Sequence, residues 1–168
     1  LTYLRCIPNM VIAVPADENE ARVLLTTAFN HNGPAAVRYP RGGGINAVID
    51  FELKSVEVGK GRVINSMDSD LLVLNFGTLI ATSEEVAKEL GATLLDMRFV
   101  KPLDKDLINE YSKGKKAIIT IEDGAIYGGA GSAVNEWAQE NKVSAQIIIC
   151  GIPDEFINHS SREEMIEE

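Results

Sequence analysis

An α/β fold with a doubly wound, mainly parallel sheet is what this sequence predicts, on three observations. Apolar runs of strand length alternate with helical stretches of about 10 to 15 residues. Two of those runs, "NMVIAVPA" at 9–16 and "DLLVLNFG" at 70–77, are nearly continuous, as strands covered on both faces are. Glycine and proline punctuate the boundaries, and no repeat or low-complexity tract interrupts the alternation.

The elements follow in order. "LTYLRCIPNM" is a helix-like run with no capping residue ahead of it, which predicts that the chain is a piece of something longer. The strand at 9–16 stops at Pro15. Asp17 then offers an N-cap, Glu20 stands three positions on as in a capping box, and Val23, Leu24 and Ala28 carry an apolar stripe to about His31. "NGP" breaks the helix and 35–39 supply a second strand, so the first portion reads as a right-handed βαβ unit. From about 43 to 57 the periodicity dissolves, and 48–57 read as a linker between two domains.

After the linker, "GKGRVINS" suits an edge strand and 70–77 a buried one, followed by the helix "TSEEVAKELG" that Gly91 ends. Strands at 92–98, 116–123 and 145–151 then alternate with helices around "LDKDLINEYSKG" and "GSAVNEWAQENK". "SREEMIEE" closes the chain as a capped helical start.

Composition narrows the function classes. A net charge of −9 over 168 residues argues against a general nucleic-acid or anionic-membrane surface, so any anion site must be local. Cys6 and Cys150 form no CxxC or CxxxC pair; both are expected to be buried as small apolar residues. No run approaches the roughly 18 to 20 apolar residues of a membrane span, and no basic region precedes an apolar one as in a signal peptide. A soluble, reducing, cytoplasmic setting is expected.

Chemistry concentrates in a few places. "AAVRYPRGGG", residues 35–44, puts Arg38 and Arg41 where a strand gives way to a glycine-rich loop, the side of an α/β sheet on which ligands collect. A guanidinium there can clamp two oxygens of a phosphate, and glycines let a substrate approach the backbone. Spacing alone leaves Arg41 open between that role and an ordinary turn arginine.

"EDGAIYGGAGSAV", residues 122–134, is a glycine-rich turn from strand to helix, but it lacks G-x-G-x-x-G and a Walker lysine. A tight loop packing a helix on a sheet is the favoured reading, and Glu122 and Asp123 would repel a phosphate unless a metal or an arginine intervened. Asp96, Arg98, Lys101 and Asp104 in "LLDMRFVKPLD" read first as a structural ion-pair corner, with an active-site rim as the alternative. His31 and His159 stand alone without a readable acid or nucleophile, and Trp137 reads as packing.

Taken in order, "YLRCIPNMVIAVPADENE", "GPAAVRYPRG", "VLNFGTL", "LLDMRFVKPLD" and "EDGAIYGGAGSAVNE" resemble the C-terminal stretch of the 1-deoxy-D-xylulose-5-phosphate synthase family, within the transketolase-like thiamine diphosphate enzymes. "DMRFVKPLD" and "YPRG" separate the likeness from transketolase and from pyruvate dehydrogenase beta subunits.

The resemblance implies a homodimeric transferase using thiamine diphosphate and Mg²⁺. It condenses pyruvate with D-glyceraldehyde 3-phosphate, releasing CO₂, for isoprenoid, thiamine and pyridoxal phosphate synthesis. It implies that residues 1–47 are the end of a pyrimidine-binding domain and 58–168 a transketolase C-terminal domain. It implies that Arg41 binds the substrate phosphate together with an arginine upstream of this chain. The cofactor and metal would be held mainly by upstream parts, with no catalytic, cofactor or metal ligand here, so the chain alone is expected to be inactive. Two other readings stay open: a non-catalytic C-terminal dimerisation module, and the C-terminal half of another thiamine-dependent enzyme.

Overall fold

The structure is a computed structural model and describes residues 1–40, 42 and 44–156. His159 and the expected helical start at 161–168 lie outside the described residues, as do Arg41 and Gly43.

The first portion holds α1 (Thr2–Arg5), β1 (Val11–Ala13), α2 (Glu18–Asn30) and β2 (Ala35–Val37). The second holds β3 (Arg62–Asn65), β4 (Leu71–Phe76), α3 (Ile80–Leu90), β5 (Thr93–Asp96), β6 (Phe99–Lys101), α4 (Lys105–Tyr111), β7 (Ala117–Ala125), α5 (Ala130–Glu140) and β8 (Gln146–Ile152).

The larger sheet runs β3-β5-β4-β7-β8, all parallel except the antiparallel edge strand β3. Successive side chains of β4 go to opposite faces. Val73 packs with Ile80 and Ala87 of α3, whereas Leu72 and Leu74 join Ile108 of α4 and Val134 and Trp137 of α5. Helices on both faces are what the continuous apolar runs require. Because β4 lies between β5 and β7, the winding reverses between β4 and β7, and the crevice of the fold opens at their carboxyl ends.

The smaller sheet runs β2-β1-β6, with β1 parallel to β2, as a βαβ unit demands, and antiparallel to β6. Strand β6 was not legible as a strand in the sequence. It belongs by position to the second portion yet completes the sheet of the first, because Arg98 takes a left-handed conformation, φ 56°, and turns the chain out of the larger sheet. The two portions also share a core: Ile12 and Val14 of the first pack with Leu72, Leu74 and Met97 of the second.

Between β2 and β3 the described residues form no helix or strand. They are nevertheless strapped along α2. Glu18 accepts from the Asn46 and Ala47 amides, Asn19 from the Asp50 amide and Thr27 from the Val56 amide, while Arg22 donates to the Phe51 carbonyl and Asn30 to the Ser55 hydroxyl.

One expectation is corrected. Cys6 and Cys150 are exposed, not buried. Cys6 caps the short α1, and Cys150 stands on β8, an edge strand whose residues alternate between half-buried and exposed.

Candidate functional site

The carboxyl end of β2 is where the sequence puts its cations. Arg38, the residue after β2, extends the pairing by donating its amide to the Ala13 carbonyl at 2.9 Å. Its guanidinium crosses to the larger sheet, where Nη1 donates to Oδ1 of Asp123 at 2.5 Å and Nη2 to the Asp123 carbonyl at 2.6 Å. The other carboxylate oxygen of Asp123 accepts from the Thr78 hydroxyl at 2.9 Å. Asp123 lies on β7 and Thr78 just beyond β4, so Arg38 is held in the crevice at which the winding reverses.

The glycine-rich turn after β7 faces the same crevice. The amides of Ala130 and Gly131, at the amino end of α5, donate to the two carboxylate oxygens of Glu122 at 2.9 and 2.8 Å. These are the donors that would otherwise meet a phosphate. Glu122 fills that position from within, and the glycines make room: a Cβ at Gly129 would come 2.4 Å from both Glu122 Oε2 and the Ala125 carbonyl. Burial pushes the Glu122 carboxyl above its ordinary value, against the pull of those two amides and of Arg38.

α1 roofs the turn: Arg5 donates to the carbonyls of Gly128 and Gly129 and pairs with Glu136, and Thr2 donates to the Tyr127 carbonyl. The turn therefore packs a helix on a sheet, and its anion position is occupied by a side chain of the chain itself.

A second charged set lies behind. Arg98 meets Glu20 through Nε and Nη2 at 2.7 and 2.8 Å, Arg62 meets the same carboxylate at 3.1 Å, and Arg62 Nε donates to Asp96 at 2.9 Å. Glu20 is 3% exposed and Asp96 wholly buried. Burial raises the Asp96 carboxyl, while Arg62 opposes the shift.

Asp104 caps α4 by accepting from the Leu107 amide, and Lys101 donates to the carbonyls of Arg5 and Ile7. All four polar residues of "LLDMRFVKPLD" thus hold the two portions and their helices in place. His31 caps the end of α2, and Trp137 is buried in the core.

Arg41, the residue singled out for phosphate recognition, lies outside the described residues. The structure brings together instead Arg38, Thr78, Glu122 and Asp123. Of these, Arg38 is the strand-end cation marked in the sequence; Asp123 was expected to repel a phosphate unless a metal or an arginine intervened, and Arg38 is that arginine. A signal existed in the pairing of "VR" at one strand end with "ED" at another, but choosing partners requires the strand order. Among the described residues no group of three or more His, Cys, Asp and Glu could hold a metal ion, and no helix is long and apolar enough to cross a membrane.

Residues 59–168 match the transketolase C-terminal domain family, and residues 1–44 the transketolase pyrimidine-binding domain family. The chain is 46% identical over 168 residues to the 1-deoxy-D-xylulose-5-phosphate synthase of Vibrio vulnificus, covering all of this chain and 27% of that protein. It is 45% identical over 168 residues to that of Pseudomonas fluorescens, covering all of this chain and 26% of that protein. The chain thus spans about a quarter of the length of these curated relatives.

Among solved structures, a split-gene transketolase described as an inactive beta4 tetramer superposes with a TM-score of 0.84 at 30% identity, over 94% of this chain and 53% of that one. A transketolase from Campylobacter jejuni superposes at 0.58 with 17% identity, over 98% of this chain and 25% of that one, a likeness of fold.

Proposed function

The chain belongs to the transketolase family, and from that premise we propose that it is the C-terminal part of a synthase that joins pyruvate to D-glyceraldehyde 3-phosphate with loss of CO₂, giving 1-deoxy-D-xylulose 5-phosphate. The observation that carries the reading is similarity along the whole chain, 46% over 168 residues, to enzymes bearing that name. In this reading the product serves isoprenoid, thiamine and pyridoxal phosphate synthesis, and the enzyme works as a cytoplasmic homodimer.

Such an enzyme depends on thiamine diphosphate with Mg²⁺, which supplies the carbanion chemistry. The described residues of this chain do not fit that group. The glycine-rich turn has its amide donors engaged by Glu122, and no metal-ligating cluster occurs among the described residues. We assign cofactor and metal to the remainder of the polypeptide.

What this chain contributes is the acceptor end of the site. Arg38 stands at the carboxyl end of β2, the ligand side of its sheet, and in sequence Arg41 and three glycines follow it. Arg41 is the proposed ligand of the substrate phosphate, by a charge-assisted fork worth about 1.5 to 3 kcal/mol.

An open apolar face, with Leu25 and Phe29 of α2, Tyr39 and Leu53 around a cavity of about 760 Å³, supports a chain that works inside a larger body. The test is an assay of the full-length polypeptide with pyruvate, D-glyceraldehyde 3-phosphate, thiamine diphosphate and Mg²⁺. Formation of 1-deoxy-D-xylulose 5-phosphate, with none from this chain alone, is the expected result. A full-length protein that transfers a ketol group from a sugar phosphate but does not use pyruvate would overturn the reading.

A further inference from the structure

Three separated blocks of sequence meet at one carboxylate. Asp123, from "EDGAIYGG", accepts from Arg38 of "AAVRYPRG" at 2.5 Å through Oδ1 and from Thr78 of "VLNFGTL" at 2.9 Å through Oδ2, and its carbonyl takes a second bond from Arg38 at 2.6 Å. Both carboxylate oxygens and two guanidinium nitrogens are used.

The carboxylate is also held by residues other than Arg38. Gly77 holds φ 95°, and a Cβ on it would lie 3.3 Å from Asp123 Oδ1 and 3.8 Å from Val14 Cβ, so the turn after β4 packs closely on the carboxylate. Buried Asn75 donates to the Gly77 carbonyl at 2.9 Å and accepts from Ser83 at 3.0 Å, fixing that turn in place. On the other side, the Arg38 amide is paired with Ala13. The Arg38 and Asp123 side chains are 38% and 16% exposed, so the contact sits at a half-dry rim.

We propose that Asp123 is a positioning residue for recognition of the anionic acceptor substrate: by gripping Arg38 with its carboxylate and its carbonyl, it fixes the direction in which the chain leaves β2. The inference rests on the reading above, that this strand end receives a phosphorylated aldehyde.

A planar guanidinium held at two nitrogens cannot swivel, so the strand end that carries it is oriented; a single ammonium would leave it free to turn. The pairing also cancels the charge of Asp123, which, left bare beside an incoming phosphate, would repel it. Misplacing a binding group by a fraction of an ångström is costly when the acceptor must be aligned for attack.

The test uses the full-length enzyme and compares kcat/KM for D-glyceraldehyde 3-phosphate with that for unphosphorylated D-glyceraldehyde, with pyruvate saturating. Asp123→Asn and Arg38→Lys are each expected to lower the ratio of the two by about tenfold, with the double variant no worse than the poorer single one, since both act through one contact. Equal loss for both acceptors would show a merely structural role and overturn the proposal, as would an unchanged ratio. A raised ratio in Asp123→Asn would mean that Arg38, once released, binds the phosphate itself, and would overturn it too. Should Asp123→Asn fail to fold, Arg38→Lys, which keeps charge and stem, carries the comparison. Wild-type enzyme that makes no product from pyruvate and the phosphorylated aldehyde would remove the reading and the proposal together, a result visible before any variant is assayed.

Discussion

Glu20 occupies the position from which a capping-box glutamate would reach back to the start of its own helix, and it does something else. Asp17 performs its half of the box, accepting from the Glu20 amide at 2.7 Å, but the Glu20 side chain turns to Arg98 and Arg62. Removing one member of a buried pair strands the other charge, at a cost of about 3 to 5 kcal/mol. Glu20→Ala should therefore lower the urea midpoint by an amount equivalent to about 3 kcal/mol or more. Glu20→Leu combined with Arg98→Met should recover a good part of that loss, because no charge is left alone.

Glu122 gives a pH signature. Its carboxyl titrates above the ordinary 4.5 because it is buried, so the folded chain retains a proton over a range in which the unfolded chain has lost it. The contribution of Glu122 to stability is then largest in acid and declines as pH climbs through the raised value. The difference in unfolding free energy between wild type and Glu122→Gln should shrink, in the wild type's disfavour, as pH rises above the ordinary 4.5. A difference that grows over that range would contradict burial as the dominant cause. Neither residue's role was legible from spacing, because each is defined by partners that lie far away in sequence.

At the scale of elements, most of the fold was legible and the exceptions share a cause. The strands β1, β4, β5, β7 and β8 and the helices between them follow from apolar runs and from caps such as Gly91, which takes the left-handed conformation, φ 60°, at the end of α3. Strand β6 and the strap along α2 were not legible, since three residues set no period and the strap is held by side chains scattered along α2. Thr27 is the clearest such peg: its hydroxyl donates to the Val23 carbonyl at 2.8 Å and accepts from the Val56 amide at 3.0 Å. Thr27→Val keeps the volume and removes both bonds. It should cost about 1 kcal/mol and speed hydrogen exchange at the Val56 amide while leaving the amides of β4 and β7 unchanged. Uniform acceleration across the chain would mean that the strap is not a separate opening unit.

The whole molecule is a joined body in which the carboxyl ends of β2, β4 and β7 converge at Arg38, Asp123 and Thr78, and the phosphate position of the glycine-rich turn is taken by Glu122. The five ordered sequence blocks made the family legible. The candidate site was less so: Arg38 stood out as a strand-end cation, but its partners Asp123 and Thr78 needed the sheet order, and Arg41, the expected phosphate ligand, lies outside the described residues. We propose that this strand end recognises the phosphate of an aldehyde acceptor within a longer enzyme. The most direct test is the KM for D-glyceraldehyde 3-phosphate in full-length Arg41→Ala. Loss of a charge-assisted fork predicts a rise of about tenfold to a hundredfold, with the KM for pyruvate changed far less. An equal rise for both substrates, or none for the phosphorylated one, would contradict the account.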